Sequence, residues 1–582
     1  MSTITQMLCN KFGGIRERNA VFNEEYVTAQ DLQNIELYFT GVNNGIGIRT
    51  VKGNTSINDS LVGSKRIIGL WQSTQAQKSY FFVYAEDDTE GVLYNFNREI
   101  DTLEVIKSGL TPTGKSNGFD TTQGWSDLFF FTNGENMFTV EMNAQKTLYA
   151  FVYSGNTIYA DSSTAPTQLY ITDGTSYSYY TDTTWTISGT NVKYNGNNAT
   201  YTAASNITLT NAVLNMLPKD RDGRSVVGIN ATIFDNRLWV VKNNIAWYSV
   251  QANIYDFATS DAAITTSAGY IELLKNVTAI HEYLGSLAVF YSDSSTLIKV
   301  ENGVFSVADE SPGGCAGYNS LVFHDTNLYF YDDTKKSVFS FKQVITGEKT
   351  LGENVAVDIQ NILLSIDSDN LDEIRTLSVF MEGRNEIWWI LPIESTYEVN
   401  GVVKPASIVL IFDYLKGEWI KRKCQKINSA CVIKDLLYSA GDDGHIFEEY
   451  NSDTFNGDYI QHYYRCTPLN LGAMNTLKVL VFPPRASFDM PYNNQFYVKY
   501  VKNYNVIKKP KIRFVKSKLK NFMRWGQHLW GEVYWASENT NVIGKFPSAT
   551  FKILEIEMYS TKPSENFSIK NLEFSKIKVK QV

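Results

Sequence analysis

One short pattern recurs along the chain and limits what it can fold into: an apolar strand, a polar turn, a second strand opening on Leu or Ile with aromatics, a short loop and a third strand. Phe234-Asp235-Asn236-Arg237-Leu238-Trp239-Val240 leads through Asn243-Asn244 into Ile245-Ala246-Trp247-Tyr248-Ser249. Further copies run from Glu282 to Phe290 with Thr296 to Val300, and from Phe323 to Phe330 with Ser337 to Phe341. A wider copy sets Glu386-Ile387-Trp388-Trp389 against Ile408 to Tyr414 and Gly417-Glu418-Trp419. The last clear copy, Lys434 to Tyr438, turns at Gly441 to Gly444 into His445-Ile446-Phe447. Two looser copies come earlier, Ser79 to Tyr84 with Gly91 to Phe96, and Asp127 to Phe131 with Asn136 to Val140.

Most units are spaced by about 40–60 residues, which matches the four-stranded blade of a β-propeller. A blade cannot bury both faces alone, whereas a closed ring of blades buries each against its neighbours and removes long free edges. The pattern therefore predicts an all-β chain built on a β-propeller of six or seven blades. Hairpins in stacked sandwiches are the alternative, and they repeat a Leu-aromatic register less regularly. Composition agrees with strands and turns. The 582 residues include 35 Tyr, 33 Phe and 11 Trp and are crowded with Thr, Asn, Ser and Gly. A chain that is 43% hydrophobic buries enough area to offset its ordering entropy, so disorder fits poorly.

Three segments fall outside the repeat, giving a division into 1–60, an N-terminal segment expected to pack with a platform; 61–142, the first blades; 143–219, a Thr/Tyr/Asn-rich β insertion; 220–462, the remaining blades; and 463–582, a C-terminal β-sandwich-like platform. Helix is scarce. Asn354 to Ser365 places Val355, Ile359, Ile362 and Leu363 on one face, with Asp358 in the first turn, and Asp369 to Thr376 is a shorter candidate. Asp367, Asp369 and Asp372 hint at a cation loop, but the Gly and closing Glu of an EF-hand are missing, which favours a helix cap.

Catalytic and cofactor signatures are weak. Five His, no Gly-rich loop followed by Lys-Ser/Thr, and no Gly-X-Ser-X-Gly elbow leave little for triad, phosphate or metal chemistry. No catalytic, cofactor-binding or metal residue is expected, and no cofactor. Cys9, Cys315, Cys424, Cys431 and Cys466 lack paired spacing and are expected as buried free thiols. The start carries no secretory pattern and no stretch approaches the ~20 apolar residues of a membrane span, so stable membrane insertion is not expected. A propeller glycosidase remains an enzyme alternative, needing two carboxyls that sequence cannot pair.

Several of these residues carry a resemblance to a known family. The chain resembles the tail nozzle proteins of short-tailed bacteriophages, also called tail tubular or packaged-DNA stabilisation proteins. Gly13-Gly14, then Asp31-Leu32-Gln33-Asn34-Ile35, then Ile48-Arg49 with Gly53 is similar to that family's opening. Asn236-Arg237-Leu238-Trp239 leading to Trp247-Tyr248-Ser249 and Tyr255-Asp256-Phe257 resembles one of its blades, as does Ile280 to Phe290. Glu386-Ile387-Trp388-Trp389 with Val409 to Trp419 resembles a later one. The insertion matches no part of that pattern. The resemblance implies a structural virion protein in the tail, made in the host cytoplasm and assembled as a homohexameric ring or tube. Its implied partners are further copies of itself, a portal-proximal adaptor or ring protein, tail fibres or receptor-binding proteins, and duplex DNA retained and then conducted during ejection. A monomeric β-propeller acting as an adhesin or scaffold is the competing class.

Charge is segregated. The net charge is −8, yet from about Val498 onward Lys and Arg outnumber Asp and Glu by roughly three to one. The cluster Lys508, Lys509, Lys511, Arg513, Lys516, Lys518, Lys520 and Arg524 is expected to meet a neighbouring subunit or ring, while acidic loops face DNA without holding it.

Overall fold

The computed structural model describes the chain apart from residues 1, 10, 17–25, 41–44, 59–64, 76, 122–127, 161, 165, 167–168, 173–176, 180–183, 260–265, 302, 344–348, 400, 470–475, 482–483, 489–494, 503–511, 517–542, 546–549, 563–564 and 581–582. The all-β expectation holds: strands dominate throughout. Among the described residues no helix is long and apolar enough to cross a membrane.

Seven sheets, each built on four antiparallel strands, follow one another. In chain order their first strands are Arg66–Gln75, Asn117–Asp120, Asn230–Phe234, Ala279–Tyr283, Leu321–His324, Arg375–Met381 and Ser429–Ile433. The sequence repeat covers the second and third strands of each sheet, with the end of the first strand in the third to fifth sheets and the start of the fourth in the sixth. In the third sheet, Asn230–Phe234 turns through Asp235 and Asn236, both at positive φ, into Arg237–Lys242 and then Ile245–Tyr248. Two consecutive positive-φ residues form the tight hairpin whose twist matches the flanking strands, a conformation Asp and Asn tolerate.

The sheets pack in sequence. Phe82 and Phe129 stack between the first and second sheets at 4.4 Å. Phe130 and Val240 share the core of the second and third, Trp239 and Val289 that of the third and fourth, and Phe290 and Phe330 that of the fourth and fifth. The fifth, sixth and seventh sheets pack within the largest core. Phe81 of the first sheet then meets Tyr438 of the seventh at 5.2 Å, so the series returns to its start. The seventh sheet takes its fourth strand from far upstream: Gly53–Ser56 pairs antiparallel with Ile446–Ser452.

Residues from both termini form one further sheet of fourteen strands, here the terminal sheet. Ser2–Cys9 pairs with Ser568–Lys580, and Tyr26–Gln33 with Tyr463–Cys466. The N-terminal segment joins the C-terminal β unit by supplying strands to its sheet, and Gly53–Ser56 leaves it for the seventh sheet. Long-range backbone pairing, which no local pattern announces, sets both placements.

The insertion begins inside a strand. Met137–Tyr153 and Thr200–Asn215 pair along their length, first as the outer strands of the second sheet and then as an arm beyond it. The arm carries Asn156–Ala160, Leu169–Thr172 and Tyr177–Tyr179, with a small core of Phe151, Ile158, Leu169, Trp185 and Val192. The helix expected over Asn354 to Ser365 is present in shortened form, a 3₁₀ turn at Val357–Ile359 running into the α-helical turn Gln360–Leu363. The second candidate is the 3₁₀ segment Ser368–Glu373, capped where the Asp367 side chain accepts from the Asp369 amide.

Candidate functional site

Residues of the opening motif and of the later blade motif that carry the family resemblance meet where the terminal sheet packs on the sixth and seventh sheets, whereas the blade motifs around Arg237 and Ile280 lie in the third and fourth. Lys11–Ile15 crosses Glu418–Gln425, the outer strand of the sixth sheet, so closely that a Cβ on Gly14 would lie 2.2 Å from the Trp419 carbonyl oxygen. The Gly14 amide donates to Glu418 Oε2 at 2.8 Å, and Arg16 Nη2 to Glu418 Oε1 at 3.3 Å. Burial raises the Glu418 carboxyl above its ordinary pKa even with Arg16 and the Gly14 amide opposing it. Asn34, buried at positive φ, is a three-way link. Its amide donates to the Lys421 carbonyl at 2.9 Å, its Oδ1 accepts from the Lys423 amide at 2.8 Å, and its Nδ2 donates to the Gln461 carbonyl at 2.9 Å. Gly53 has the same cause as Gly14: a Cβ there would lie 2.0 Å from the Thr454 carbonyl oxygen.

A charged cleft of about 420 Å³ opens beside this joint. Glu36 Oε1 accepts from Arg49 Nε at 2.5 Å and Glu36 Oε2 from Arg384 Nη2 at 2.6 Å. Arg384 Nη1 donates to Glu386 Oε1 at 2.8 Å, while Glu386 Oε2 accepts from Trp388 Nε1 at 2.9 Å and Tyr450 OH at 3.3 Å. The Tyr450 ring lies between two guanidinium groups, Arg384 at 3.5 Å and Arg422 at 4.9 Å. Burial pushes the Glu36 carboxyl up, but Arg384 and Arg49 more than offset it, and its pKa falls below the ordinary value. Burial, then the Glu386 charge, drives the Tyr450 hydroxyl well above its ordinary pKa. A general acid needs a carboxyl that keeps its proton, and Glu36 is held ionised between two arginines. The chemistry of this cluster is a clamp: it fixes the terminal sheet against the ring.

Deeper in the joint, Arg422 is fully buried and pairs with Glu449, which also accepts from Asn54 Nδ2 at 2.9 Å and Ser439 Oγ at 2.5 Å. Asn54 lies on the closing strand. The closing strand of the seventh sheet and the outer strand of the sixth are therefore joined through one buried charge pair.

The axis of the ring is bridged at the end where the links between sheets emerge. The link before the second sheet reaches those before the fifth and sixth, on the opposite side. The Ser116 amide donates to Tyr318 OH at 3.1 Å, and Lys115 Nζ pairs with Asp372 at 2.5 Å. With the Asn319 amide turned so that its oxygen faces them, Tyr318 OH and Arg375 both donate to it, at 2.9 and 3.1 Å. Asp372 is thus engaged by a lysine and Asp367 caps a turn, so these acids do not form a cation loop. Among the described residues no group of three or more His, Cys, Asp or Glu is placed to hold a metal ion.

The blade motif around Arg237 is also structural. Arg237 is buried, and its Nη1 donates to the carbonyls of Ser249, Thr266 and Ser267 at 2.8, 3.2 and 2.6 Å, tying down the loop that follows the third strand. Tyr255 OH contacts Thr139 Oγ1 at 2.9 Å, and Phe257 enters the core. Cys315, Cys424, Cys431 and Cys466 are buried free thiols; burial raises Cys315 and Cys424 to about 12.

The basic cluster is only partly placed. Arg513 and Lys516 lie on Ile512–Lys516, opposite Val498 and Gln495. Lys508, Lys509, Lys511, Lys518, Lys520 and Arg524 lie outside the described residues. Sequence reading missed the Glu36–Arg384–Glu386 cluster and the axial bridge. The two close-packed glycines were a signal for the first, and nothing local announces the second.

No protein-family model matches the chain, and no curated protein matches it. Among solved structures it is similar to the computationally designed Ika8 protein, at 11% identity over 68% of this chain and 99% of that one, with a TM-score of 0.31. It is also similar to BamB from Moraxella catarrhalis, at 10% identity over 72% and 97%, with a TM-score of 0.29. Kluyveromyces lactis Hsv2 follows at 11% identity over 62% and 98%, with a TM-score of 0.24. Likenesses at these scores carry no functional argument.

Proposed function

We propose that this chain is a structural virion protein of a short-tailed bacteriophage, forming the tail nozzle or tube ring that retains packaged DNA and conducts it during ejection. In this reading the seven sheets are the blades of a closed β-propeller, and the terminal sheet is the platform that sets each subunit's angle. Six copies form the ring, which adjoins a portal-proximal adaptor and carries fibres or receptor-binding proteins outside.

One observation carries the reading. Gly14 of the opening motif packs on Trp419 and donates to Glu418 of the later blade motif, Asn34 bonds the backbone of Lys421 and Lys423 on the same strand, and Arg49 is linked to Glu386 through Glu36 and Arg384, so residues of both motifs share the task of holding two β units at a fixed angle. That is a requirement of an assembling tube subunit. The clamp holds its carboxylates on arginines, which favours a structural role over a glycosidase. The bridged axis favours DNA passing between copies and not along the axis of a single ring of sheets.

The test is electron microscopy of purified virions, or of the recombinant chain with its neighbouring ring protein, labelled on the insertion near Asn195. Six copies around a lumen wide enough for duplex DNA at the distal tail are expected. A lone monomer on a fibre, or absence from virions, would replace this reading with that of a monomeric binding module, and saccharide turnover would favour the glycosidase.

A further inference from the structure

Four adjacent strands of the terminal sheet place two chemically distinct rows side by side on one face. Gln33 pairs with Tyr463, Tyr463 with Tyr559, and Tyr559 with Tyr497. Two residues along, on the same face, Asp31 pairs with Arg465, Arg465 with Glu557, and Glu557 with Lys499. Residues two apart on a strand share a face, so the aromatic row and the charged row are neighbours by construction.

A groove of about 690 Å³ is lined by Gln33, Tyr463 and Tyr559 of the first row and Lys499 and Glu557 of the second, together with Tyr459, Gln461 and Thr561. That volume lies in the range of small-ligand sites. The Tyr497 and Tyr559 rings stack at 5.6 Å with 17° between planes. Lys499 Nζ donates to Glu557 Oε2 at 2.7 Å, and Arg465 Nε donates to Glu555 Oε2 at 2.7 Å, so the charged row cancels within itself. The floor is rigid. Ser560 Oγ lies 3.0 Å from His462 Nδ1 and 2.8 Å from Tyr459 OH, and His462 Nε2 lies 3.4 Å from the Val51 carbonyl. Ser560 and His462 are both buried beneath the groove. The exposed Gln461 side chain stands at the rim.

These features select a ligand. Half-buried tyrosine rings offer flat faces to C–H groups, the Gln33 and Gln461 amides offer paired donors and acceptors, and Glu557 offers an acceptor. A phosphate-bearing or acidic ligand would meet Glu557, and the one cation lining the groove, Lys499, is already paired with it. A ligand with alternating C–H faces and hydroxyls, and no net charge, satisfies every group. We propose that this groove binds a neutral saccharide, with a pyranose face on Tyr559 or Tyr463 and hydroxyls hydrogen-bonded to Gln33, Gln461 and Glu557. The proposal is independent of the virion reading and applies equally to a monomeric binding module.

The test uses the full-length chain titrated by calorimetry with maltose, cellobiose, lactose and chitobiose at millimolar concentration, and with a poly(dT) oligonucleotide as the competing ligand class. At least one disaccharide is expected to bind. Tyr559→Ala should weaken that binding by about tenfold or more, and Gln461→Ala by roughly threefold, as for loss of one stacking or hydrogen-bonding partner. Tyr201→Ala, on the exposed arm, should leave it unchanged. The Gln461 variant truncates only an exposed side chain and so reads the site even if the Tyr559 variant fails to fold. Failure of all four sugars, binding of poly(dT) in their place, affinity unaltered by Gln461→Ala, or loss on Tyr201→Ala each overturns the proposal. None of these outcomes bears on subunit number in the tail, which electron microscopy reads separately.

Discussion

At Gly14 the chain has no room for a side chain. A Cβ would enter the Trp419 carbonyl at 2.2 Å, and the obstacle is backbone, which cannot rotate away. Gly14→Ala should therefore lower stability by about 1–3 kcal/mol, the usual cost of overpacking, read as a lower denaturant midpoint with an unchanged m-value. His462 gives a pH signature in the same region. Burial lowers its pKa from 6.5 to about 4, against the smaller opposing effect of the Val51 carbonyl. Between those values the unfolded chain binds a proton that the folded chain refuses, so stability rises with pH there. The contribution is fully present above about pH 6.5 and is lost as pH falls toward 4. A shift of that size amounts to about 3 kcal/mol at most. His462→Gln should flatten the dependence of unfolding free energy between pH 4 and 6.5; an equally steep curve in the variant would assign the slope to other groups. Sequence reading identified Gly14 through its motif, but His462 is one of five scattered histidines whose burial depends on Val51 and Ser560, far away in sequence.

At the level of elements, local signals were strong wherever a strand pairs with its chain neighbour. Asp235-Asn236 and the Leu-aromatic strands around them carry their own turn chemistry and burial pattern, so the second and third strands of each sheet were legible, while first strands such as Arg66–Gln75 and Asn117–Asp120 were not. The closing strand Gly53–Ser56 was not. Its four residues, Gly-Asn-Thr-Ser, have no apolar alternation, and their partner lies at Ile446–Ser452. The strand is held by register and by Asn54 on Glu449, neither of which a window of sequence contains. This closure can be tested by stapling it. Thr55 and Glu448 are directly opposite in the antiparallel pair, where Cα atoms lie about 4.5–5.5 Å apart, within disulfide reach. Thr55→Cys with Glu448→Cys should oxidise to a crosslink that raises Tm by several degrees, and a reductant should abolish the gain. No crosslinking, or a crosslink without stabilisation, would show that this strand does not limit unfolding of the ring.

For the molecule as a whole, the sequence conveyed the β character and the uneven charge, while the interleaving of both termini in one sheet remained hidden because it rests on pairings such as Ser2 with Val579. That interleaving places Ile512–Lys516, with Arg513 and Lys516, in a strand beside Gln495–Lys502 of the terminal sheet, the same sheet that the joint clamps to the ring. In the proposed ring, the basic residues of this segment would meet the acidic remainder of an identical copy, which supplies the opposite charge. A head-to-tail contact of this kind repeats around a closed ring. Complementary surface charge acts mainly on encounter and is screened beyond about 8–10 Å at physiological salt. Assembly should therefore weaken as ionic strength rises. Lys508→Glu, Lys509→Glu and Lys511→Glu together should slow it at low salt, and the difference from the unmodified chain should shrink at high salt. Analytical ultracentrifugation of the two chains, each with the neighbouring ring protein across a salt series, measures this directly. Assembly that is indifferent to both salt and charge reversal would assign the interface to apolar surfaces elsewhere and leave the basic segment as a solvated face.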